Sequence, residues 1–139
     1  MKGTAMMSKI QMAARILLGL IYFVFGGMGL AIAFGLMPMP SSGPMPEAAM
    51  GFMKGIMGTG YFFPVLKLTE TFCGFLLLFN LAPALALVVL APITLQIVLF
   101  HTFLTPGVEN LFLPGFMAFA HCIAMTGYRK SYKPLFSKR

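Results

Sequence analysis

The sequence predicts an all-α integral membrane protein, a four-helix bundle with a short interfacial amphipathic helix between helices 1 and 2. Three observations predict it. The 139 residues are 59% hydrophobic and 9% charged, with 13 Met, 15 Phe and no Trp, against about 25% charged in soluble domains. A water-soluble domain of this size faces much of its surface to solvent and has too little polar surface here to cover the rest. Three apolar blocks, residues 12–37, 61–104 and 111–128, run through the chain. Basic residues crowd its two ends and are sparse between them.

The first block is one span. Its apolar region is longer than the ~7–15 residues of a signal-peptide core, so despite "AIA" at 31–33 it is read as retained. The middle block would be about 66 Å long as a single helix, twice the ~30 Å of a hydrocarbon core, and must fold back. The break falls at Asn80-Leu81-Ala82-Pro83, because Pro83 lacks a backbone donor and suits the first turn of the next helix. Spans are expected at residues 12–37, 61–80, 83–104 and 111–128, forming one domain over residues 1–139. Pro64, Pro83 and Pro114 then fall in opening turns. Pro92 lies mid-span, either tolerated or kinking the third helix and opening a cavity.

Between the first two spans, "MPMPSSGPMP" is a loop that cannot be helical. "PEAAMGFMKGIMG" follows, with Ala49, Met50, Phe52, Met53, Ile56 and Met57 on one half of a helical wheel. That pattern suits a helix lying in the membrane interface. It is either a plain connector or, through its methionines, an adaptable surface over a pocket.

Orientation follows from charge. Lys2, Lys9 and Arg15 lie at one end and Arg129, Lys130, Lys133, Lys138 and Arg139 follow the last span, whereas the 38–60 connection carries only Lys54. The positive-inside bias puts both termini in the cytoplasm, as an even number of spans requires. The net charge of +7 is thereby explained by topology and attraction to anionic lipid. Nucleic acid is not the expected partner, since no folded soluble domain presents these charges.

Few polar residues enter the spans, and these are the candidate site. Glu70, one of three acidic residues, falls about 14 Å into the second span and Lys67 about 9 Å. A carboxylate there costs roughly 2.5–3.5 kcal/mol unless paired or protonated. Lys67, Glu70, Thr71 and Gly74 share one helix face, which must look inward. Their role is either to lock helices together or to bind a ligand and handle protons. Arg15, Gly19, Tyr22, Gly26 and Gly29 form a stripe on the first helix; its glycines permit close approach, and Arg15 is either a snorkelling anchor or a second, inner polar site. His101 lies near the outer end of the third span and His121 about 15 Å into the fourth. That difference in depth disfavours bis-histidine haem, and no cluster has metal-ligand spacing. Each His is either a hydrogen-bonded helix contact or a ligand contact. Cys73 and Cys122 belong to no CxxC and read as buried structural thiols.

"RILLGLIYFVFGG", "GYFFPVLKLTETFCGFLLL" and "LAPITLQIVLFHTFL" together resemble the DoxX family of small four-span bacterial membrane proteins. The likeness covers about residues 12–106 and rests on Arg15, Gly19, Gly26, Pro64, Lys67, Glu70, Gly74 and His101 in that order. The chain departs from it at Met28 and Gly29, where many members have Lys or Asn-Lys, and at Gln96, where Asn is common. The resemblance implies a bacterial inner-membrane protein tied to respiratory or thiol-linked oxidoreductase systems, with a redox partner protein. The residues themselves add a pocket walled by Phe, Met and Leu with Lys67, Glu70 and His101 near the outer leaflet. Such a site suits a quinone or similar lipophilic small molecule, with Tyr22, Arg15 and His121 as further ligand-binding candidates. No intrinsic cofactor is expected, and any catalysis needs the partner. A homo-oligomer is among the partners the sequence leaves open. The competing reading is a non-catalytic membrane protein for assembly, stress tolerance or lipid organisation, with the polar cluster as structural glue.

Overall fold

The computed structural model describes residues 2–41 and 43–138, with side chains from Ser8 onward; Arg139 and the Lys2 side chain, both used in the orientation argument, lie outside the described residues. Among those described there is no strand. The order is α1 (Lys2–Ala33), α2 (Glu47–Gly58), α3 (Phe62–Leu78), α4 (Pro83–Leu99), a π-helical turn (Phe100–Leu104), α5 (Val108–Thr126), a short α6 (Arg129–Tyr132) and a final 3-10 turn (Lys133–Phe136). Ser8–Ala33, Pro83–Leu104 and Val108–Thr126 are long and apolar enough to cross a membrane. α2 and α3 meet that test only as a pair, bent by 90°.

The bend is built locally. Thr59 Oγ1 donates to the Ile56 carbonyl at 2.9 Å and accepts the Phe62 N–H at 3.0 Å, closing α2 and opening α3 with one hydroxyl. Gly60 between them has φ +76°, where a side chain would clash with its own backbone. The reversal between α3 and α4 falls at the predicted place, with Asn80 and Ala82 at positive φ and Pro83 opening α4.

α1 packs against α3 and α5, and α4 packs against α3 and α5. Gln11 donates to Thr126 at 3.0 Å, and Tyr132 donates to the Ala84 carbonyl at 2.9 Å. The start of α1, the end of α5 and the α3–α4 corner therefore share one end of the molecule. Leu18, Tyr22, Leu77, Leu87 and Leu90 are fully buried at the centre. Phe72, Leu85, Leu95, Phe112 and Phe119 are exposed on the outside. An outer surface this apolar matches hydrocarbon as its solvent.

Small residues set the closest approach, between α1 and α3. A Cβ on Gly74 would lie 2.9 Å from the Phe23 Cα, and one on Gly19 2.8 Å from the Leu77 Cβ. A Cβ on Gly26 would lie 2.7 Å from the Thr71 backbone N. The glycine stripe read from the sequence thus presses the polar face of α3 against α1.

Two expectations need correction. Pro114 is not in an opening turn: α5 starts at Val108, so Pro114 sits inside it. Here Asn110 Nδ2 donates to the Thr105 carbonyl at 3.1 Å, and Glu109 supplies a negative charge to the first turn, signals that let the helix begin a turn before the apolar block. Cys122 is exposed whereas Cys73 is buried; position 122 turns away from its neighbour His121, which faces the centre. Of the two readings of Arg15, an edge anchor or an inner polar residue, its 7% exposure fits the inner one, because it shares the face of α1 that carries the buried Leu18 and Tyr22.

Candidate functional site

Lys67 and Glu70 are one helical turn apart on α3, and Nζ donates to Oε2 at 2.9 Å. The Glu70 side chain is 4% exposed and that of Lys67 20%. The inward turn expected of Glu70 is therefore present, and the carboxylate has its cation. The stem of Lys67 lies directly against Gly29 of α1, in space any side chain there would occupy. Thr71, on the same face, spends its hydroxyl on its own helix, donating to the Lys67 carbonyl at 2.7 Å.

His101 comes to this pair from the π-helical turn. Widening α4 into a π turn loosens the backbone ladder, and side chains collect the carbonyls at the junction. Thr102 Oγ1 donates to Val98 O at 2.7 Å, and His101 Nδ1 bonds Ile97 O at 2.8 Å. A carbonyl only accepts, so Nδ1 carries hydrogen and the neutral ring keeps Nε2 as a lone-pair acceptor. Lys67 offers donors and His101 offers an acceptor.

These groups border an apolar cavity of about 580 Å³. Phe52, Met53 and Ile56 of α2 line it together with residues of α3, α4 and the π turn, so α2 is more than a connector. Phe52 also meets the Phe100 ring, with centroids 5.5 Å apart. Pro92 and Gln96 lie on the α4 side. The volume suits a drug-sized apolar molecule.

Tyr22 and His121 belong to a different arrangement. Tyr22 Oη lies 2.5 Å from Thr94 Oγ1, Thr94 Oγ1 lies 2.8 Å from His121 Nδ1, and His121 Nε2 lies 2.9 Å from Leu87 O. The carbonyl end fixes the direction for a neutral imidazole: Nε2–H donates to Leu87, Thr94 donates to Nδ1, and Tyr22 donates to Thr94. All three side chains are buried, and the chain of bonds ties α1, α4 and α5 together. His121 borders none of the cavities described here. Arg15 also lies apart from the Lys67 cavity, and its Nη1 has no hydrogen-bond partner among the described residues. Among those residues no three His, Cys, Asp or Glu side chains are grouped to hold a metal ion.

Sequence reasoning missed the hub of this network. Thr94 reads as an ordinary membrane threonine, because its partners lie 72 and 27 positions away and no spacing along one helix marks it. It likewise missed Ile97, the apolar member of the wall beside His101. Comparison with family models, with curated proteins and with solved structures finds no match.

Proposed function

We propose that this chain is a DoxX-like protein of a bacterial inner membrane, a four-span bundle with α2 in the interface and both termini cytoplasmic. Its work is to bind a quinone or similar lipophilic ligand as the membrane subunit of a respiratory or thiol-linked oxidoreductase system. The observation that carries this reading is the pairing of an apolar cavity with Lys67, Glu70 and His101 on its wall. A quinone carbonyl accepts from the Lys67 ammonium, and a quinol hydroxyl donates to His101 Nε2. The ring and tail lie among Phe52, Ile56, Phe62 and Ile93, and electrons pass through a redox partner protein.

The test is binding of decylubiquinone and decylubiquinol to the chain in nanodiscs, followed by native mass spectrometry. Binding that weakens at least ten-fold in Glu70→Gln and in His101→Phe is the expected result. Affinity unchanged in both variants removes the reading.

The second reading, a non-catalytic protein for assembly, stress tolerance or lipid organisation, draws its support from the Tyr22–Thr94–His121–Leu87 chain of bonds, which joins α1, α4 and α5 without bordering the 580 Å³ cavity.

A further inference from the structure

Lys67, Glu70, Ile97 and His101 line two cavities whose other lining residues differ. The first is the 580 Å³ space toward α2, α3 and α4. The second, about 450 Å³, lies toward α1 and α5, lined by Ile21, Tyr22 and Leu113 among others, with Glu109 and Asn110 at the start of α5. The two differ in chemistry. Outside the shared wall, Gln96 is the one polar side chain on the first cavity among the described residues. The second adds a carboxylate and an amide, and Glu109 and Asn110 are solvent-exposed in the loop-proximal turn of α5.

We propose that the second cavity is an aqueous antechamber, and that the Lys67–Glu70–His101 wall is a partition with water on the α1–α5 side and a lipophilic ligand on the other. Water has polar partners at both ends of the route: Glu109 and Asn110 at the mouth, and Lys67, Glu70 and His101 at the wall. Hydration needs about two to four such partners and room for more than one molecule, and both conditions are met. Glu70 gives one carboxylate oxygen to Lys67; its second oxygen makes no bond to another described residue and is available to water. The partition supplies a short path by which protons reach or leave a bound head group without crossing hydrocarbon. This last role rests on the ligand reading above; the hydration of the cavity does not.

Cysteine accessibility in liposomes tests it. In a Cys73→Ala, Cys122→Ala background, Ile21→Cys and Leu113→Cys report the second cavity and Ile93→Cys the first. Each is treated with the charged thiol reagent MTSET and, separately, with lipid-soluble N-phenylmaleimide. The two antechamber positions are expected to react with MTSET at least ten-fold faster than Ile93→Cys. Reaction of both only with the maleimide, or with neither reagent, overturns the proposal; two positions guard against one variant misfolding. Added decylubiquinone should protect Ile93→Cys from the maleimide and leave Ile21→Cys open to MTSET. Loss of that protection with MTSET labelling intact removes the ligand reading and leaves the hydrated cavity standing.

Discussion

The Lys67 stem rests against Gly29 while its ammonium reaches Glu70 Oε2 at 2.9 Å. An absent side chain on α1 thus fixes where a charge on α3 is held. Gly29→Ala places a methyl group in that space. The obstruction is a flexible lysine stem, so the chain is expected to lose less than about 1 kcal/mol of stability, since a side chain shifts more cheaply than backbone. Binding of decylubiquinone should nonetheless weaken several-fold. Equal binding by the Gly29→Ala and native chains would show that Lys67 does not depend on α1 for its position.

Gly74→Ala is the contrasting case, because its Cβ meets the backbone of Phe23 rather than a movable side chain. Either the helices separate or the backbone bends, with an expected loss of about 1–3 kcal/mol as for overpacking in a filled core. Unfolding by SDS titration in mixed micelles, followed by helical circular dichroism, measures it. A loss no larger than that of Gly29→Ala contradicts the close α1–α3 approach.

Glu70→Gln keeps the shape and removes the charge. Lys67 then faces a neutral amide in a site that is largely enclosed. Breaking a fully buried pair costs about 3–5 kcal/mol, but the Lys67 side chain is 20% exposed and its ammonium is correspondingly better solvated. A loss of about 1–2 kcal/mol is expected, with Lys67→Met, Glu70→Gln together less harmful than the two single changes summed. Strict additivity in that double-mutant cycle would mean the two groups do not interact.

How much of this was legible beforehand depends on how local each signal was. Lys67, Glu70 and Gly74 lie within eight residues of one helix, and Gly19, Tyr22 and Gly26 within another, so helical periodicity alone placed them on inward faces. Glu70 and Tyr22 are indeed buried. The α3–α4 reversal was legible because Pro83 marks it chemically. What was not legible is which helix each inward face meets. The Thr94 network joins three helices, and the shared wall of the two cavities joins α3 to the π turn. The π turn itself has no proline or glycine to announce it, and it decides where His101 stands. The start of α5 was misplaced because hydropathy ignores a polar first turn, here Glu109 and Asn110.

Thr94→Val tests the network at its hub. The isosteric change leaves the Tyr22 hydroxyl without its acceptor and His121 Nδ1 without its donor, and each unmet buried group costs about 1–3 kcal/mol. Partners inside membranes rescue part of such losses, and single interhelical hydrogen bonds average about 0.6 kcal/mol. The expected destabilisation is therefore about 1–3 kcal/mol in total, larger than that of Tyr22→Phe, which opens only one end. SDS unfolding of the two variants decides the order. The reverse order would place the weight of the network on Tyr22 instead.

The two histidines should hold opposite tautomers. His101 Nδ1 faces the Ile97 carbonyl, and His121 Nε2 faces the Leu87 carbonyl. Each carbonyl requires a donor, so in the neutral rings His101 carries its hydrogen on Nδ1 and His121 on Nε2. Solid-state NMR of the ¹⁵N-histidine-labelled chain in liposomes, under basic conditions where both rings are neutral, distinguishes protonated from bare ring nitrogens in each. His121→Ala and His101→Ala assign the two sets of signals by loss. Adding decylubiquinol should shift the bare nitrogen of His101, the one atom on that ring left to accept a hydrogen bond, and leave both nitrogens of His121 in place. Matching tautomers in the two rings would mean that one of the carbonyl contacts is not formed, and with it the assignment of His101 as an acceptor toward the cavity would fall.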